Sequence, residues 1–262
     1  NGDLYNYDVD GILKSNLGDI TADLLVKMNK NYTHAIYKGD VKVAKLDLQK
    51  ILQNDSLGKL NAQIDIDGQG MNLEDLNAQV DLLVNNVTFN SYNYENISVN
   101  GKIESQIFEG EIASEDPNIY FNIDGKANLN DTFPSAQVLG EINNLDLYAL
   151  HLLPYPLKAQ MKLDADIKGY KVDDILGYAS IKDIVLENDS LKWKADSIDF
   201  KAQILDNQQR QLLLSSPIIN ASLTGKFNTT ELPVVFTKFG DQYFPFSTFI
   251  GGTEVDDAVS PA

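Results

Sequence analysis

The chain has 262 residues, enough to bury a core as one elongated domain or as two compact ones. Its 38 acidic residues against 21 Lys and Arg give a formal net charge of −17, which opposes binding to nucleic-acid phosphates and docking on anionic membrane surfaces. The absence of cysteine excludes disulfides, thiolate metal sites and cysteine nucleophiles, and no apolar run is long enough for a transmembrane helix or a signal-peptide core.

The start at Asn1, without Met, points to a processed chain or an excised fragment. In chain order, a first short stretch, L-Y-N-Y-D-V-D-G (Leu4 to Gly11), is followed by a helix expected over L-D-L-Q-K-I-L-Q (Leu46 to Gln53). Between Leu60 and Ile66, L-N-A-Q-I-D-I sets Leu60, Ala62, Ile64 and Ile66 on one side and Asn61, Gln63 and Asp65 on the other. That is the period of a strand with one buried face. The alternation returns at Ala78-Val80-Leu82-Val84, Ile97-Val99-Gly101-Ile103 and Ile119-Phe121-Ile123. A second short helix is expected over Leu147 to Leu153, stopped by Pro154. The longest alternation follows, with Leu157, Ala159, Met161, Leu163, Ala165 and Ile167 between charged and amide residues. Leu191-Trp193-Ala195, Ile198-Phe200-Ala202-Ile204 and Ile219-Ala221-Leu223 continue the pattern. Turn-forming clusters separate these runs, and about sixteen strands are expected. A last helix is expected over Glu231 to Phe244, with Thr229 and Thr230 as N-caps and Pro233 in its first turn; residues 245–262, polar and Gly-rich, read as a disordered tail or linker.

Parts of the sequence echo one another. P-N-I-Y-F-N-I-D-G-K-A-N begins at Pro117 and P-I-I-N-A-S-L-T-G-K-F-N at Pro217, 100 residues later (217 − 117). Gly39-Asp40-Val41 with Leu46-Asp47-Leu48 matches Gly140-Glu141-Ile142 with Leu145-Asp146-Leu147, and L-N-A-Q-I from Leu60 matches L-K-A-Q-M from Leu157. The amino-terminal stretch ending in Gly11 resembles the one ending in Gly125. The division expected is therefore the end of a preceding repeat with its connecting strands (1–38), repeat one (39–139), repeat two (140–244) and the tail (245–262).

A sheet of so many strands must cover its apolar face with helices, with a second sheet, or by curling over on itself, and three short helices cannot cover it. At a strand spacing of ~4.8 Å it is also too wide to close as an ordinary barrel. The expected fold is mostly β: an elongated, curved, U-shaped antiparallel sheet built from repeats of about 100 residues, with a few short helices. Its inner face would be lined by Leu60, Ile64, Ile66, Val80, Leu82, Val84, Ile97, Val99, Ile103, Ile119, Phe121, Ile123, Ile142, Leu157, Met161, Leu163, Ile181, Trp193, Ile198, Phe200, Ile204 and Leu223. Such a trough is either filled by its own side chains or open to an apolar ligand.

Other constellations carry little. Asp8-Val9-Asp10-Gly11, Asp65-Ile66-Asp67-Gly68 and Asn122-Ile123-Asp124-Gly125 lack the further ligands of an EF-hand and read as solvent-facing acids before a turn. His34 and His151 lie far apart, and no G-x-S-x-G elbow accompanies them; His151 reads as half-buried structure. Adjacent carboxylates such as Glu115-Asp116 and Asp173-Asp174 point to opposite faces of a strand, unlike the converging pair of a glycosidase. Tyr92 and Tyr94, alternating with Asn, read as edge positions. No catalytic residue, metal site or cofactor is expected.

Read together, the L-D-L segment with its short helix, L-N-A-Q-I-D-I-D-G-Q-G, N-N-V-T-F-N-S-Y-N-Y-E-N-I-S-V-N-G-K-I and S-E-D-P-N-I-Y-F-N-I-D-G-K resemble the TamB proteins of the AsmA-like superfamily. The resemblance spans Leu4 to about Phe244 and rests on the order of diffuse motifs, with no catalytic signature among them. It implies a "β-taco" trough in a longer periplasmic protein of a double-membraned bacterium, anchored to the inner membrane outside this segment. It implies phospholipid or another acyl lipid as the cargo, and an outer-membrane assembly partner. The alternative on the same residues is an extracellular adhesin or carbohydrate-binding β-sandwich module.

Overall fold

The computed structural model describes residues 5–232 apart from 32, 131–133, 170, 172 and 207. Alternating apolar and polar residues lay the backbone out as long strands: β1 (Asn6–Ser15), β2 (Gly18–Met28), β3 (Ala35–Asp47), β4 (Leu57–Gln69), β5 (Asn77–Phe89), β6 (Tyr92–Glu104), β7 (Ile107–Asp116), β8 (Ile119–Asn128), β9 (Ser135–Asp146), β10 (Lys158–Lys168), β11 (Leu176–Glu187), β12 (Lys192–Ile204), β13 (Arg210–Ser215) and β14 (Asn220–Gly225). All belong to one 14-stranded antiparallel sheet whose spatial order is the sequence order. The sheet is open, with β1 and β14 at its edges. Tertiary contacts follow the same rule, each strand meeting the strands beside it in sequence.

Register sorts the side chains into rows that run across the strands. One row reads Ala22, Val41, Ile64, Leu82, Val99, Ile112, Ile123, Gly140, Leu163, Ile181, Ile198. The adjoining row, on the opposite face, begins Asp10, Asp23, Asp40, Asp65, Asp81 and continues through Asn100, Glu111 and Asp124. Alternation along each strand thus becomes an apolar face and a polar face across the whole sheet.

Connections gather along two long margins. The β1–β2, β3–β4, β5–β6, β7–β8, β9–β10, β11–β12 and β13–β14 connections form the first, and the remaining ones the second. Near the first margin the ladder is irregular: register shifts fall between Val43 and Leu46, between Tyr120 and Phe121, and between Gln160 and Lys162, and Lys45, Asn96 and Asp183 have positive φ. Bulges of this kind bend a strand and increase its twist. Gly39, at φ 147, is required where it stands, because a Cβ there would collide with the Asp23 carbonyl oxygen.

Several expectations need correction. The described residues hold fourteen strands in place of about sixteen. The first helix shrinks to α1 (Leu48–Leu52), with the Asp47 carboxylate accepting from the Lys50 N–H at 3.1 Å. Leu147 to Leu153 is a series of turns: the Leu147 N–H donates across to the Leu157 carbonyl, and His151 has a φ of 61°, which no α-helix tolerates. Of the third helix, a single 3-10 turn (Thr229–Glu231) is described, with Asn228 at its N-cap position; Pro233 to Phe244 and the tail lie outside the described residues. The likeness between the stretches ending in Gly11 and Gly125 does not join equivalent strands, since β1 and β8 run in opposite directions.

Candidate functional site on the apolar face

The expected lining residues come together on one face. Ile64, Leu82, Val99, Ile123, Leu163, Ile181 and Ile198 share the apolar row already described. Ile66 and Val80 pair in the next row on that face, which reaches Phe200; Val84 pairs with Ile97, and Phe121, Ile142 and Met161 align beyond them. Leu60 follows through Val87, Ile119 through Leu145, and Trp193 through Leu186, while Ile103 and Leu223 lie in the row toward the second margin. Leu157 immediately precedes β10, and Ile204 ends β12.

None of these side chains is fully buried. All are half-buried except Phe200 and Ile204, which are 37% and 52% exposed. Residues packed between two layers are normally shut off from water, so the apolar face carries no complete second layer among the described residues. The buried apolar positions of that face are Ala62, Ala78, Ala159, Ala195 and Ala202 together with the larger Ile184 and Leu212. Large side chains beside small ones leave an uneven apolar surface reaching across the sheet.

One part of this face is polar and closed. Asp116 is 1% exposed, at the first-margin end of β7, beside buried Ser114. Its carboxylate accepts from the Tyr92 hydroxyl at 2.6 Å, the Glu95 N–H at 2.9 Å, the Asn118 N–H at 2.8 Å and the Ile119 N–H at 3.3 Å. Burial and then this hydrogen bond push the Tyr92 hydroxyl up to about 12. Tyr94 meets the Tyr92 ring edge-on, with centroids 4.7 Å apart. Both tyrosines belong to β6, well inside the sheet, which corrects their reading as edge positions. The connection after β9 adds a lid: Leu150 is fully buried, and the His151 ring lies 6.4 Å from the Tyr92 ring with Nδ1 3.3 Å from the Asn90 carbonyl oxygen. His151 is itself exposed rather than half-buried. The sequence does carry a signal for this cluster, because Ser114 and Asp116 occupy apolar-face positions of β7, in phase with Gly110 and Ile112.

A further concavity lies on the other face. A groove of about 790 Å³ crosses β5 to β11, walled by outward residues including Lys102, Glu109, Glu111, Lys126, Asp164 and Tyr178. These groups already have partners: Lys102 and Lys126 lie 3.7 and 3.9 Å from Glu109, and the Tyr178 hydroxyl donates to Asp164 at 3.1 Å. Lys182 and Tyr178 together hold the Asp164 carboxyl below its ordinary range. Asp8, Asp10, Asp65, Asp67 and Asp124 stand exposed on this polar face. Among the described residues no three His, Asp or Glu side chains gather as metal ligands. No helix among them is long and apolar enough to cross a membrane.

No protein-family model matches the chain, and no curated protein or solved structure is significantly similar to it.

Proposed function

We propose that this chain is a non-enzymatic lipid-handling segment, a U-shaped β-taco whose apolar face shields acyl chains while its acidic face stays in water. The observation that carries the reading is the run of apolar rows across the sheet, half-exposed because no complete second layer covers them among the described residues. Acyl chains laid against such a surface gain roughly 25 cal/mol for each Å² removed from water, at any point along it, so they can slide without a specific site. No residue has to perform chemistry. A built-in period of about 100 residues is supported by paired details: the Gly70 N–H donates to the Ala35 carbonyl as the Gly169 N–H does to that of Pro134, both at 2.9 Å. The resemblance set out above implies the periplasm as the site of this activity. There the whole protein would move phospholipid between inner and outer membranes with an outer-membrane partner.

Uptake of a fluorescent fatty acid, with native mass spectrometry for co-purified phospholipid, tests the proposal. Ile64→Asp and Phe121→Asp should abolish loading while the folded sheet persists, and Gln63→Asp, one position away on the opposite face, should leave it intact. Gln63 is a better control than Lys162, which bridges Asp183 at 2.9 Å and Glu141 at 3.8 Å. A wild-type protein that neither retains nor takes up lipid, or equal losses from inward and outward substitutions, would remove the mechanism.

A further inference from the structure

The two long margins of the sheet differ in chemistry. On the first, α1 presents Ile51 and Leu52 to solvent. The β9–β10 connection presents Tyr148, Leu152 and Tyr155, and the β11–β12 and β13–β14 connections carry Leu191, 65% exposed, and Ile218, 77% exposed. Apart from Lys50, Asp55 and Asp189, the connections of this margin carry no formal charge. The second margin holds Lys30, Glu74, Asp75, Lys171, Asp173, Asp174 and Asp206 in its described connections, so its exposed Met71, Leu73 and Leu129 stand among charges.

The exposed side chains of the first margin are held outward. In the β9–β10 connection, Leu150 is fully buried, the Leu150 N–H donates to the Asp146 carbonyl at 3.0 Å, and the Leu152 and Leu153 N–H groups both donate to the Leu147 carbonyl. The anchored turn therefore projects Tyr148, Leu152 and Tyr155.

We infer that this margin is a docking edge for the surface of a zwitterionic lipid bilayer. The apolar projections form a line along the margin: six strands part the α1 connection from the β9–β10 connection, roughly 29 Å at ~4.8 Å per strand, and the β11–β12 and β13–β14 connections follow in two-strand steps of about 10 Å. A protein partner would need a narrow matching ridge along that whole line, unlike the compact patches such interfaces use. A bilayer is laterally uniform and accepts Leu, Ile and Tyr at any spacing, with the tyrosine hydroxyls at headgroup level. The intervening turns Asn16–Leu17, Asn90–Ser91 and Pro117–Asn118 are short and uncharged, so they do not hold the edge away. The chain's net charge of −17 selects neutral over anionic headgroups. This edge is distinct from the apolar face, and the inference stands whether or not that face carries lipid.

The test is co-flotation with phosphatidylcholine vesicles, with and without phosphatidylglycerol. The wild-type chain should float with phosphatidylcholine, less so when phosphatidylglycerol is present. The triple variant Leu152→Glu/Leu191→Glu/Ile218→Glu should lose more than ~10-fold in partitioning, whereas Met71→Glu/Leu73→Glu on the second margin should stay within ~2-fold. If circular dichroism shows the triple variant unfolded, single Leu191→Glu and Ile218→Glu variants carry the comparison. Fatty-acid uptake should survive the margin variants, and Ile64→Asp should still float, which separates failure of this inference from failure of the lipid-carrying face. Wild-type protein that does not float, equal losses from both margins, or a stable dimer that the triple variant dissolves would each overturn it.

Discussion

Replacing Asp116 with Ala strips the acceptor from four donors at once: the Tyr92 hydroxyl and the backbone N–H groups of Glu95, Asn118 and Ile119. Each buried donor left without a partner costs about 1–3 kcal/mol; with the two shortest contacts dominating and water relieving part of the rest, the total is about 3 kcal/mol. At 1.4 kcal/mol for each tenfold step, amides that exchange through opening of this region should exchange roughly 100-fold faster. Hydrogen–deuterium exchange read by mass spectrometry resolves where the change falls. Because the extensive strand–strand contacts all join sequence neighbours, the acceleration should be confined to β6–β8 and the β9–β10 connection that packs on Tyr92, leaving β2–β4 and β12–β13 unchanged. Asp116→Asn should give about half the free-energy change: one oxygen still serves Tyr92 and the turn amides, while its NH2 faces the Glu95 N–H. Acceleration spread evenly over the sheet, or less than ~3-fold within β6–β8, would refute the reasoning.

Three further expectations concern stability. The Tyr92 hydroxyl is raised from 10.0 to about 12, so its neutral form contributes stability that is complete below pH 10 and is lost as the pH rises toward 12. Tyr92→Phe should flatten the alkaline fall in the thermal midpoint across that window, and an unchanged profile would count against the role given to burial and Asp116. Asp65 stands directly between Asp40 and Asp81 on neighbouring strands, so Asp65→Asn should stabilise by about 0.5 kcal/mol in urea titrations at low salt. The gain should fade near 1 M salt, where the Debye length is ~3 Å; a salt-independent gain would point away from charge. Gly39→Ala should destabilise by about 2 kcal/mol or more through its positive φ and the Asp23 carbonyl, whereas Gly11→Ala, with nothing within 4 Å of the new Cβ, should stay within ~0.5 kcal/mol. Equal urea midpoints for the two variants would contradict the placement of Gly39.

The faces of the sheet were legible in the sequence because side-chain direction in a strand has a period of two, and Ile64 beside Gln63 is decided locally. Even the break between Ala195 and Ile198 is visible there as a change of phase. Asp183 is a different matter: strict alternation from Ile181 would turn it onto the apolar face. Its φ of 51° lets it remain 65% exposed while Ile184 becomes buried. Bulges of this sort depend on what the partner strand demands. The acidic row was hidden for the same reason, since Asp10, Asp23, Asp40, Asp65 and Asp81 stand at irregular sequence intervals and only register aligns them. The helix expected at Leu147 failed because its apolar spacing also suits a turn that buries one leucine, Leu150, and helix propensity over seven residues is too weak to decide.

Neighbour-only pairing also sets a counting rule for how such a chain can change length in evolution. A whole hairpin can be gained or lost with little cost to distant strands, save where a connection reaches across the sheet, as His151 does to Tyr92 and Arg210 to the Asp173 and Ile175 carbonyls. Loss of a single strand would reverse every strand after it. Leu152, Leu191 and Ile218 would then move to the margin that now holds Asp75 and Asp173, and those acids' later counterparts would take their place. Length can therefore drift in steps of two, while any odd step exchanges the two margins.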